Sequence, residues 1–131
     1  AVQMGEYLKV LCNSLSESMS GEKATVEVQC DEIGLPVARA IPVGLIVNEL
    51  VTNAFKHAFD RGQAGAIAVT LRHGQGYTLA VEDNGKGCPK SPTSGLGTQL
   101  VDLLVRQLDG GMERTAATPG CRVEIQFPEK A

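Results

Sequence analysis

The chain has 131 residues, of which 43% are hydrophobic and 21% charged, and its formal net charge is −3. That size suits one domain spanning residues 1–131, with a single core that needs no staples. The acidic balance offers no basic patch for nucleic acid, no apolar run reaches the length of a membrane span, and neither a signal peptide nor a lipidation motif is visible.

In chain order, Tyr7, Leu8, Leu11, Leu15 and Met19 recur at helical spacing, so residues 3–19 read as an amphipathic helix closed by Ser20-Gly21. Residues 24–30 alternate Val26, Val28 and Cys30 against Thr25, Glu27 and Gln29, a half-buried strand. Residues 31–36 form a turn that leads to a short strand or directly to a long helix over 39–59. Pro42 falls in the first turn of that helix, where its missing N–H costs little. The helix is apolar over most of its surface and is expected to be buried nearly all round. Strands follow at 66–72 and 77–83, joined by the hairpin signal His73-Gly74-Gln75-Gly76. A second major helix spans 99–108, and Gly110-Gly111 closes it before a strand that runs to about residue 116. Thr118-Pro119-Gly120 turns the chain into a last strand, 121–127. Helices grouped with an antiparallel-rich sheet make an α+β sandwich of two layers.

Chemistry concentrates in three places. On the long helix, Glu49, Asn53, Lys56 and His57 stand at i, i+4, i+7 and i+8, hence on one face. Polar groups on a buried helix need partners, since each one left unpaired costs roughly 1–3 kcal/mol. A solvated edge and a polar-lined cavity both meet that need. At the end of the strand-like run 77–83 lies Asp83-Asn84-Gly85-Lys86-Gly87, a carboxylate followed by alternating glycines. Before the last major helix lies Ser94-Gly95-Leu96-Gly97-Thr98, where glycines permit close backbone approach and free helix N–H groups attract phosphate. Each glycine cluster alone reads equally as a turn; the order of all three is what is specific. The four cysteines, Cys12, Cys30, Cys88 and Cys121, are widely spaced with no Cys-x-x-Cys. They read as buried thiols of a reducing cytosol rather than as zinc ligands.

With those motifs in hand, the chain resembles the ATP-binding catalytic domain of two-component sensor histidine kinases, within the GHKL ATPase superfamily. The run from Asn48 to Phe59 is most similar to a subgroup allied to the HWE kinases. The Trp-containing signature of HWE proper is absent, and the Lys56-His57-Ala58-Phe59 ending matches a sibling subgroup. The resemblance implies a Bergerat-type sandwich with a mixed, mostly antiparallel sheet, binding ATP and Mg²⁺. It implies Asn53 as the Mg²⁺ ligand, Glu49 as the carboxylate that ATP-hydrolysing relatives use to activate water, and Lys56 and His57 turned toward the triphosphate. Asp83 is the implied acceptor for the adenine amino group, with Gly85 and Gly87 beside base and ribose. Gly95, Leu96, Gly97 and Thr98 belong to the phosphate-side loop. Residues 88–94 correspond to the nucleotide lid, here short and holding two prolines. Cys121 stands where many relatives have Thr near adenine, and a thiol is a poorer hydrogen-bond partner.

The function implied is transfer of the γ-phosphoryl of Mg-ATP to a histidine on a separate dimerisation domain, with a response regulator downstream. A cytoplasmic location and a monomeric isolated fragment go with it. Two other readings share the fold: a stand-alone serine kinase of the anti-sigma-factor type, and a degenerate adaptor that binds a response regulator.

Overall fold

A computed structural model describes residues 1–19, 23–60, 63–88 and 96–129. In chain order its elements are β1 (Val2–Gln3), α1 (Met4–Ser18), β2 (Thr25–Cys30), β3 (Gly34–Leu35), α2 (Val37–His57), β4 (Ala66–His73), β5 (Tyr77–Asp83), α3 (Leu96–Gln107), β6 (Gly111–Ala116) and β7 (Cys121–Phe127). The α+β expectation holds. Five strands form one sheet in the order β2-β4-β5-β7-β6. β2 pairs with β4 in parallel, because α2 crosses between them, and the other three ladders are antiparallel.

The strand pattern decides which sheet face is covered. Ile67, Val69 and Leu71 of β4, Leu79 and Val81 of β5, and Val123, Ile125 and Phe127 of β7 are all buried. They share one core with Met4 and Leu8 of α1, Val43, Ile46, Val47, Leu50 and Phe55 of α2, and Leu104 and Leu108 of α3. The opposite face is polar. There Arg122 bridges Glu82 at 3.2 Å and Glu124 at 3.1 Å.

Two expectations about the long helix change. It starts at Val37 rather than Arg39, with the Pro36 carbonyl accepting the amides of Arg39 and Ala40, so Pro42 lies inside the helix rather than in its first turn. Pro42 cannot donate to the Ala38 carbonyl, but Ala38 is exposed and water can take that place. The helix is also not buried all round: Val37, Ile41 and Leu45 are 60%, 50% and 43% exposed. Its C-terminal half packs over the sheet, whereas its N-terminal half has one flank uncovered.

β1 has no counterpart in the sequence reading. Two residues are too few to alternate; they pair with β3, and Val2 packs against the core. Gly44 of α2 faces the Tyr7 ring of α1 so closely that any side chain there would collide with it, which sets the close approach of the two helices.

Candidate nucleotide site

The second half of α2 passes over the ends of β5 and β7, where Asp83 and Cys121 are register partners. Between them is a cavity of about 300 Å³, at the small end of the ~300–1,000 Å³ typical of ligand pockets. Its walls include Glu49, Asn53 and His57 from α2, Asp83 and Gly87 from the β5 end, Gly97 from α3, and Arg114, Cys121 and Val123 from the last two strands. The polar stripe of α2 therefore lines a cavity. Lys56 is exposed and stands outside that lining.

The β5 end is pinned residue by residue. Asn84 accepts the Ala66 amide through its side chain at 2.8 Å and donates its own amide to the Ala66 carbonyl at 3.2 Å. The Gly85 amide donates to Asp83 Oδ1 at 2.9 Å, and the Lys86 amide donates to the Ala58 carbonyl at 2.8 Å. Gly85 itself lies against that same carbonyl, leaving no room for a Cβ. Gly87 has φ +110°, in the region that favours glycine. Asp83 is thus presented at a strand end by a loop held through the amides of Asn84, Gly85 and Lys86. Burial pushes its carboxyl above the ordinary range and the charge of Glu82 adds to this, while the amides of Gly85 and Cys121 pull the other way.

Across the cavity, the first turn of α3 meets α2. A Cβ on Gly97 would come 2.7 Å from a carboxylate oxygen of Glu49, so glycine is what lets this helix start approach. The Glu49 carboxylate is half-buried beside a helix N-terminus, a place that favours negative charge. Leu96 and Thr98 contribute backbone to the same turn. Gly95 and the lid residues 89–94 lie outside the described residues, and Cys88 is the one lid position within them. Glu49 and Asn53 supply oxygen donors one helical turn apart, suited to Mg²⁺, which takes few protein ligands alongside water and phosphate oxygens.

One cysteine expectation is corrected. Cys88 and Cys121 are joined in a disulfide, while Cys12 and Cys30 are free. The two sulfurs meet because the loop after β5 folds back on β7, which spacing along the chain does not reveal. Cys121 therefore has no S–H to offer a ligand. Sequence reasoning also missed Arg114. It is an unremarkable basic residue of an edge strand, and only its register opposite Val123 brings it to the cavity. Val81 and Val123 are also in the wall, and their inward alternation along the strands is the signal that could have found them.

A helix-borne polar stripe facing a strand-end carboxylate, over a mixed five-stranded sheet, defines an ATPase domain of the GHKL fold. The chain belongs to the family described as histidine kinase-, DNA gyrase B-, and HSP90-like ATPases, whose profile matches residues 38–131. Among curated proteins it is similar to blue-light-activated histidine kinase 2 of Erythrobacter litoralis, at 31% identity over 97% of this chain and 38% of that protein. It is also similar to the sensor histidine kinase PdtaS of Mycobacterium tuberculosis, at 34% identity over 69% of this chain and 20% of that protein. The chain thus spans well under half the length of these relatives. Among solved structures, the Erythrobacter litoralis EL346 blue-light activated histidine kinase superposes with a TM-score of 0.89, at 29% identity over 97% of this chain and 42% of that one. The Acinetobacter baumannii histidine kinase AdeS, at 15% identity and a TM-score of 0.81 over 98% of this chain and 66% of that one, shares the fold. No helix among the described residues is long and apolar enough to cross a membrane.

Proposed function

We propose that this chain is the catalytic domain of a larger sensor histidine kinase, binding Mg-ATP and passing the γ-phosphoryl to a histidine on a dimerisation domain. The observation that carries the reading is the single cavity that Glu49, Asn53, Asp83, Gly87 and Gly97 share.

Asp83, already fixed by the Gly85 amide, turns its remaining acceptor capacity to the adenine amino group, and guanine offers a carbonyl there instead. Gly87 permits close approach of base and ribose. The triphosphate runs toward the first turn of α3, where free amides and the helix dipole favour anions. Asn53 holds Mg²⁺, with Glu49 one turn away; when bound, the ion neutralises charge on the phosphate oxygens. His57 and Arg114 add donors to the cavity wall, and Lys56 reaches in only if its side chain extends from the exposed flank. Phosphoryl transfer depends mainly on such positioning and charge neutralisation. The proposed partners are the histidine-bearing domain and then a response regulator, in the cytoplasm.

Calorimetric titration of the chain with ADP and GDP, with and without Mg²⁺, tests this. ADP should bind, more tightly with Mg²⁺, and GDP at least 10-fold more weakly, about one charged hydrogen bond's worth. Equal affinity for the two bases would overturn the Asp83 assignment.

A further inference from the structure

Cys88 and Cys121 are 33 residues apart in sequence, and their Cα atoms stand 4.7 Å apart. Cys88 directly follows Gly87 of the cavity wall. Cys121 is the first residue of β7, lines the cavity, and lies opposite Asp83 in the ladder. The Cys88 sulfur is also 3.5 Å from the Thr115 carbonyl of β6. The bond therefore fastens the loop leaving β5 to the start of β7, beside the carboxylate assigned to adenine. Gly120, which precedes Cys121, packs against the Asp83 carbonyl with φ +112° and no room for a Cβ. A displacement of Cys121 is thus passed directly to Asp83.

We propose that Cys88 and Cys121 form a reversible redox site whose oxidation state sets the nucleotide affinity of the adjoining cavity. The inference rests on the nucleotide reading above. In the oxidised chain, Gly87 and the start of β7 are held in their binding positions before the ligand arrives, which lowers the ordering cost of binding. In the reduced chain the loop keeps its amide hydrogen bonds and the Lys86–Asp60 ion pair but loses its covalent tie to β7, and that cost returns.

The other two cysteines are unsuited to this chemistry. Burial pushes the Cys12 thiol up to about 11. Cys30 is raised by burial and by the charge of Asp31. Both are poor nucleophiles at neutral pH. Cys88 is half-buried and Cys121 buried, so an external thiol meets the Cys88 sulfur first. Attack by a small-molecule thiolate forms a mixed disulfide on Cys88 and releases the Cys121 thiolate, which takes up a proton. A second thiolate then attacks the small-molecule sulfur, freeing Cys88 as its thiolate and forming the small-molecule disulfide. The sum is one protein disulfide reduced and two small thiols oxidised to one disulfide. The reverse reaction, with a low-molecular-weight disulfide as oxidant, closes the bond.

The test uses the whole chain, once oxidised with excess glutathione disulfide and once reduced with a phosphine. Thiol titration should count two free cysteines in the first state and four in the second, and ADP is then titrated into each with Mg²⁺. Reduction should weaken ADP binding by about 3–10-fold, the scale of ordering one or two side chains. Cys88→Ser should bind like the reduced chain and ignore the oxidant, while Cys12→Ser should keep the full response. Equal ADP affinity in two preparations whose thiol counts differ would overturn the redox inference and leave the nucleotide reading standing. So would tighter binding in the reduced state. Absence of ADP binding in both states would overturn the nucleotide reading and this inference with it. The wild-type comparison alone decides the matter if Cys88→Ser does not fold.

Discussion

Asp83 concentrates two opposed demands in one side chain. The acceptor role proposed for it needs the ionised form, while burial favours the neutral one and raises its pKa. Two pH effects follow. Nucleotide affinity should fall on acidification at a higher pH than an ordinary aspartate would cause, because protonation removes the acceptor. For folding, a raised carboxyl pKa means the native state binds more protons than the unfolded chain in the window between ordinary and raised values. Stability therefore falls as pH rises through that window, and the penalty persists above it. Asp83→Asn keeps an oxygen for the Gly85 amide and removes the buried charge, so its Tm at neutral pH should match or exceed the parent's. Its remaining amide N–H₂ would face the adenine amino group, donor against donor, and ADP should bind about 5–150-fold more weakly. Calorimetry beside thermal melts checks both; a variant that loses stability and affinity together would mark Asp83 as structural.

The roles proposed for Asn53 and Glu49 separate binding from chemistry at the same scale. Asn53→Ala should lose the Mg²⁺-dependent part of nucleotide affinity, since it removes the one proposed direct protein ligand. Glu49→Ala should leave ADP affinity nearer the parent's and slow phosphoryl transfer in the full-length kinase. Titrations with and without Mg²⁺ read the first, and a labelling time course the second. Parental rates in Glu49→Ala would end its catalytic assignment.

At the scale of elements, the glycines of the site differ in what they tolerate. Gly85 abuts a backbone carbonyl, that of Ala58, which cannot swing aside, whereas Gly97 abuts the mobile end of the Glu49 side chain. Gly85→Ala should therefore pull the β5 loop off the end of α2, lowering Tm by several degrees, about 1–3 kcal/mol, and weakening ADP binding. Gly97→Ala should fold with near-parental Tm and act on the Glu49 side of the cavity. Melting curves that rank the two the other way would refute this packing. The same scale shows what was legible in the sequence. β5 and β7 were readable to the residue because a two-residue period against one covered face leaves no other register. The α2 stripe was readable because 3.6 residues per turn bring Glu49, Asn53 and His57 into line. The start of α2 was misplaced because Pro42 looks like a helix opener and here sits inside the helix, its lost bond falling at an exposed carbonyl. Arg114 and the Cys88–Cys121 bond were illegible, because both depend on which strands become neighbours, and no local pattern encodes that.

For the whole molecule, the decisive geometry is the distance between the cavity and the chain's histidines. His73 closes β4 at the hairpin, paired with Glu129 and stacked on Tyr77, whose ring centroid is 4.7 Å away. Asp83 lies at the other end of the same hairpin, where it pairs with Ile67. Six residues of strand at about 3.3 Å each put the two ends roughly 20 Å apart, so His73 cannot meet a phosphoryl group leaving the cavity. His57 is in the cavity wall itself, on the same helical line as Asn53, and the proposed function reads it as a contributor to the site rather than an acceptor presented to it. The isolated chain should therefore bind nucleotide without labelling itself. A separate histidine-bearing dimerisation domain added in trans should be labelled slowly, because covalent linkage normally supplies the effective concentration. Incubation with γ-labelled ATP and Mg²⁺, followed by acid and base treatment, reads the outcome. Acid-labile label on this chain alone would refute the separation of catalytic and acceptor domains, and acid-stable label on a serine of an added partner would move the assignment to the serine-kinase branch of the same fold.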